Sequence, residues 1–195
     1  IIQYFVIIID YGFNIITPRR IAITNDLLEQ GEIFSSVIIC KIILGTFLTL
    51  LFLIIYLFTF SLNFIDIKLF AALYLNVIGN IMFPIWFFQG IQKMEYITVI
   101  NILSRSITVI AIFLFVCTPE DYIIAAACQS LTNVLSGIFA LLFLIKKYNY
   151  LFLFPSIKYV ANTFIEGWEI FISTLAINAY TATNIIVLRL FTNDV

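Results

Sequence analysis

Histidine is absent from this 195-residue chain, and charge is scarce: Lys and Arg number 10, Asp and Glu 11, together 11% of the sequence. Soluble domains carry about a quarter charged residues, and a soluble fold of this size needs polar surface to cover its core. The shortage excludes an ordinary soluble enzyme, a nucleic-acid-binding domain and a disordered regulator. Without histidine, a His-based metal site, a Ser-His triad and a His proton relay are excluded within these residues. No catalytic residue and no metal ligand is assigned. The three cysteines, Cys40, Cys117 and Cys128, form no C-x-x-C pair and sit in or beside apolar runs. They read as small core residues, not redox groups. The formal net charge of −1 provides no field for a polyanion, so no nucleic-acid partner is expected. Neither an initiator Met nor a cleavable signal is visible, and both ends lie at apolar runs, so an internal fragment of a longer protein is expected.

What the chain has instead is apolar sequence: 63% hydrophobic residues and a mean hydropathy of +1.13. The apolar residues come in runs, not in the alternation of a β-barrel, and a membrane helix needs about 20 of them. The reading is an all-α polytopic membrane protein. Runs at 1–16, 37–60, 69–88, 96–116, 122–145 and 169–191 give six spans, the first being the latter half of a longer one. A polar stretch, 17–36, separates the first two, and Asp26-x-x-Glu29 within it matches a capping box. A tight turn is expected at Thr118-Pro119-Glu120-Asp121. Residues 156–168 place Ile157, Val160, Ala161, Phe164, Ile165 and Trp168 on one helical face, opposite Lys158, Asn162 and Glu166. Too short and polar to span, this segment reads as an amphipathic helix in the membrane interface.

Basic residues divide between alternate loops. Arg19, Arg20, Lys93, Lys146, Lys147 and Lys158 fall on one side, which is therefore cytoplasmic; Lys68 and Arg189 fall on the other. Polar groups inside the spans are costly and face protein or water. Asn101, Ser104, Arg105 and Thr108 share one face of the fourth span. Arg105 lies about eight residues, or about 12 Å, from the cytoplasmic end, and reads as a cavity-facing cation over the alternative of a snorkelling one. Gln129, Asn133, Ser136 and Gly137 form a second stripe, Thr174, Asn178, Thr181 and Asn184 a third, and Asn76 and Asn80 stand one turn apart. Interhelical packing is the plain account of each stripe. Recurrence on several spans favours a shared hydrophilic cavity, as in a transporter. Lys41 is only about four residues inside its span, about 6 Å, and reads as snorkelling. Asp10 cannot snorkel; Arg19, Lys41 or Arg105 could pair with it. Pro84 marks a bend.

Several motifs resemble bacterial O-antigen flippases, polysaccharide repeat-unit translocases of the MATE-like MOP exporter superfamily. They are Asp10-Tyr11-Gly12-Phe13-Asn14 with Thr17-Pro18-Arg19-Arg20, Glu32-Ile33-Phe34-Ser35-Ser36, and, most specifically, Phe83-Pro84-Ile85-Trp86-Phe87-Phe88-Gln89-Gly90-Ile91-Gln92-Lys93-Met94. Pro119-Glu120-Asp121-Tyr122, Phe154-Pro155-Ser156-Ile157-Lys158 and Glu166-Gly167-Trp168-Glu169 follow. The chain departs from the family's habit at Thr17-Pro18, where a small residue and Thr are common, and at Glu169, where Pro is common.

The resemblance implies about 12 spans in two lobes around a central cavity. Residues 1–154 would belong to the N-terminal lobe, 155–168 would be the inter-lobe amphipathic linker, and 169–195 the first helix of the C-terminal lobe. It implies no enzyme activity but flipping of undecaprenyl-pyrophosphate-linked repeat units across the bacterial inner membrane by alternating access. The expected partners are membrane lipid, the lipid-linked oligosaccharide, a polysaccharide polymerase and a chain-length regulator. No cofactor is expected, with a proton or sodium gradient as the candidate energy source. The expected substrate path comprises Arg105, Asp10, Arg19, Lys41, Asn101, Asn76, Asn80, Asn133, Asn178 and Asn184, with Pro84 and Gly90 as hinge. A MATE-type small-molecule exporter and a non-transporting scaffold are the alternatives.

Overall fold

A computed structural model describes residues 2–24, 26–59, 64–148 and 153–191; of 55–59, 64–66, 119, 179 and 181–191 it describes the backbone alone. The described residues are helical almost throughout: α1 (Ile2–Asp10), α2 (Phe13–Ile23), α3 (Leu27–Thr59), α4 (Phe64–Met82), α5 (Ile85–Gly90), α6 (Met94–Phe115), a 3₁₀ turn (Pro119–Asp121), α7 (Tyr122–Lys147) and α8 (Ile157–Phe191). Helices satisfy their own backbone groups, which is what an apolar medium demands. Among the described residues, four segments are long and apolar enough to cross a membrane: Leu27–Ile54, Ile67–Gly90, Met94–Phe115 and Tyr122–Lys147. They correspond to the second to fifth expected spans. Phe113, Leu114, Phe47 and Leu50 stand exposed, whereas Ser104, Thr108, Ser130 and Ser136 are buried. Apolar outside and small polar inside is the pattern of helices packed in lipid. The chain is an all-α polytopic membrane protein.

Element boundaries differ from the sequence reading at three places. The first run is divided, because Tyr11 and Gly12 take positive φ, 44° and 82°, and stop α1. The polar stretch is mostly helix. Pro18 lies inside α2 without ending it. The Asp26 carboxylate accepts the Leu28 N–H at 3.0 Å, the N-cap bond that starts α3. Finally, the amphipathic segment and the sixth run are continuous in α8, with no break at Gly167. In the turn before α7, Thr118 and Asp121 form a capping box. Backbone and side-chain hydrogen bonds from Thr118, then the Cys117 N–H, hold the Asp121 carboxyl below its ordinary range.

Two features fix the packing. On the side of the basic loops, Phe34, Trp86, Phe87 and Phe88 are fully buried, and Lys147 Nζ sits among the rings of Tyr96, Phe143 and Tyr148 at 5.1, 5.3 and 5.8 Å. Nearer the middle, α4 and α7 approach backbone to backbone. A Cβ on Gly79 would lie 2.4 Å from the Asn133 carbonyl carbon, and one on Gly137 2.6 Å from Met82 Cβ. Only glycine permits that approach, and it carries the α4 amides up against α7.

Candidate functional site

The polar stripes of α4, α6 and α7 converge on one space. A cavity of about 430 Å³ is lined by Asn76 of α4, Asn101, Arg105, Thr108, Val109 and Ile112 of α6, and Gln129, Thr132 and Asn133 of α7. A second, of about 220 Å³, takes Gly79, Asn80, Phe83 and Ile85 and shares Asn101, Arg105 and Asn133 with the first. The two therefore share Arg105. Hydrogen bonds set the wall: Asn133 Nδ2 donates to Asn76 Oδ1 (3.0 Å), Ser136 Oγ to Asn101 Oδ1 (3.3 Å), and Thr132 Oγ1 to Thr108 Oγ1 (2.9 Å). Thr108 also returns to the Ser104 carbonyl. Arg105 is about 16 Å from the start of α6 at 1.5 Å per residue. Among the described residues it has no carboxylate partner: the ion pairs found are Arg20–Glu166 and Lys41–Asp10. An unpaired guanidinium offers five fixed donors and a permanent charge, matched to phosphate or carboxylate oxygens.

Lys41 is placed differently from its sequence reading. It does not snorkel: the residue is 1% exposed, and Nζ lies 2.8 Å from Asp10 Oδ1 and 3.5 Å from Asn80 Oδ1. The physical reason is that a carboxylate ends α1 directly beside it, and pairing inside the bundle replaces reaching for water. Of the three candidate partners for Asp10, Lys41 takes it. Asn80 thus borders both the buried Lys41 and the smaller cavity.

Other expected residues lie apart. Arg19 is exposed on α2 and lines neither cavity. Its neighbour Arg20 instead binds Glu166 (2.7 Å) and the Tyr159 hydroxyl (2.8 Å), tying α2 to α8. Asn178 turns its amide onto the Thr174 carbonyl of its own helix at 2.8 Å. The side chain of Asn184 lies outside the described residues. Pro84 stands in the break between α4 and α5. Gly90 is a close-packing residue, where a Cβ would meet Ile21 Cβ at 2.7 Å and the Pro18 carbonyl at 3.1 Å. Thr132 was not among the expected site residues. Its signal was present, since it stands one turn from both Gln129 and Ser136 on the same face of α7.

A family model described as "Polysaccharide biosynthesis protein" matches residues 1–195. A relative from Escherichia coli (strain K12) is 33% identical over 190 residues, covering 95% of this chain and 45% of the relative. One from Shigella dysenteriae is 28% identical over 189 residues, covering 96% of this chain and 47% of the relative. Both carry the name "Putative O-antigen transporter". The chain spans about half the length of these curated relatives. No solved structure matches it.

Proposed function

The chain belongs to the polysaccharide biosynthesis protein family, and on that footing we propose that it forms part of a flippase for undecaprenyl-pyrophosphate-linked O-antigen repeat units. The observation that carries the reading is Arg105, unpaired among the described residues at mid-helix and lining a cavity that it shares with the amides of Asn76, Asn101, Gln129 and Asn133 and the hydroxyls of Thr108 and Thr132. A pyrophosphate is a dianion or more and needs a fixed cation wherever water is scarce. The guanidinium supplies it, and Asn76, Asn101, Gln129 and Asn133 offer both donors and acceptors to sugar hydroxyls. Movement from the inner to the outer leaflet of the inner membrane would proceed by alternating access, with the Pro84 break giving α4 and α5 independent tilt. Nothing in this chemistry calls for bond making or a bound cofactor. A proton or sodium gradient is the proposed energy source, and a polymerase and chain-length regulator are the proposed partners on the far side.

Capture of Asp10 by Lys41 favours this reading over export of small cations. A cation exporter needs an acidic group open to its cargo, and this carboxylate is neutralised by an ammonium at 2.8 Å. A scaffold needs no polar cavity. The test is Arg105→Ala in the full-length protein, expressed in a flippase-null strain. Surface O-antigen is expected to fall at least tenfold with membrane protein levels unchanged, since a charge-assisted hydrogen bond to an anion is worth about 1.5–3 kcal/mol. Arg105→Lys, which retains charge without the fork, should recover part of it. Normal display from Arg105→Ala would end the proposal.

A further inference from the structure

The joint between α1 and α2 is unusual on both its sides. Tyr11 takes φ 44°, a region that residues with a Cβ rarely adopt, so its surroundings must hold it there. Those surroundings are α8. The Tyr11 ring stacks on Phe171 at 4.5 Å and meets Phe164 edge-on at 5.6 Å. Gly167 lies against the same ring, where a Cβ would come within 2.7 Å of Cδ1, and a Cβ on Gly12 would come within 2.7 Å of Ile170 Cγ2. There is no slack between joint and helix. On the other side, Asp10 ends α1 and holds the buried Lys41 of α3, whose Nζ lies 3.5 Å from Asn80 Oδ1. Asn80 is in the wall of the smaller cavity with Arg105.

We propose that this joint is a mechanical link, through which a displacement of α8 at Gly167 reaches the polar cavity by way of Tyr11, the Asp10–Lys41 pair and Asn80. Two properties make the packed joint and the ion pair stiff. Close-packed contacts resist compression and shift as units. The Asp10–Lys41 pair resists stretching, because separating it leaves the buried Lys41 ammonium unpaired in a poor solvent. A relaxed loop at residues 11 and 12, or an ion pair exposed on both sides, would dissipate the displacement. The link is independent of what the cavity carries.

The experiment uses the full-length protein with Cys117→Ser and any exposed cysteine outside residues 1–195 also replaced by Ser, and Gln129→Cys as a reporter in the larger cavity, modified by a charged, membrane-impermeant maleimide. Gly167→Ala, which presses a methyl group onto Tyr11, is expected to change the labelling rate by about threefold or more, the size of coupling that packed networks transmit. The same substitution in an Asp10→Asn, Lys41→Met background should leave the rate unchanged. Ile170→Ala, which opens space at Gly12 where Gly167→Ala fills space at Tyr11, keeps the test decisive if Gly167→Ala fails to reach the membrane. A labelling rate indifferent to both substitutions, or an equal response without the Asp10–Lys41 pair, would overturn the inference. Labelling requires no transport, so the outcome stands apart from the assignment of Arg105 to cargo.

Discussion

An ammonium group that is 1% exposed has given up most of its hydration, and the Asp10 carboxylate 2.8 Å away is what makes that tolerable. Removing one partner is far worse than removing both. Asp10→Asn should destabilise the detergent-solubilised full-length protein by about 3–5 kcal/mol, while Asp10→Asn with Lys41→Met should restore most of the loss. Thermal unfolding of the two variants checks this. If the double variant melts no higher than the single one, Lys41 is not held by Asp10. Little of this pair was legible beforehand, because four residues from a span's end is where lysines normally snorkel, and its partner lies on another helix. Arg105 was legible. Asn101, Ser104 and Thr108 recur around it at helical spacing, and a periodicity of that kind survives folding when both sides of the groove keep it.

Elements that read as uninterrupted apolar runs were the easiest to foresee, and α6 and α7 begin and end close to where their runs do. The divisions at residues 11–12 and 83–84 depend on tertiary contact in the first case and on Pro84 in the second, so only the second had a local signal. Merging of the amphipathic segment with the following run had none, because Gly167 would ordinarily weaken a helix and is retained here for the ring it accommodates. The α4–α7 contact makes the sharpest prediction at this scale. Gly137→Ala would press a methyl group onto Met82 Cβ at 2.6 Å, and overpacking of this type costs about 1–3 kcal/mol. Because Asn133 is in the same contact, its bond to Asn76 should lengthen too. The expected result is a lower melting temperature together with faster maleimide labelling of the reporter Gln129→Cys. A variant with unchanged labelling would mean that the cavity wall does not depend on the glycines.

For the whole molecule, the distribution of basic residues places the turn before α7 opposite the loops that carry Lys93 and Lys147. Cys117 is exposed in that turn, whereas Cys40 and Cys128 are buried. With any cysteine outside residues 1–195 replaced by Ser, an impermeant maleimide added outside intact spheroplasts should therefore label the protein at Cys117, and Cys117→Ser should abolish the signal. Labelling only after lysis would reverse the orientation. Fold class and family were readable from apolar runs and motifs; the route between α8 and the cavity was not, because it consists of contacts between residues far apart in the chain. That distance has a consequence for biogenesis. The Tyr11–Gly12 joint is shaped by Gly167 and Ile170, in the last described helix to leave the ribosome. Until α8 is made, nothing from it holds Tyr11 in its unfavourable conformation. α1 and α2 must therefore first take a provisional arrangement and reach their final one late, so a stalled chain lacking α8 should present quality-control proteases with an unset α1–α2 joint.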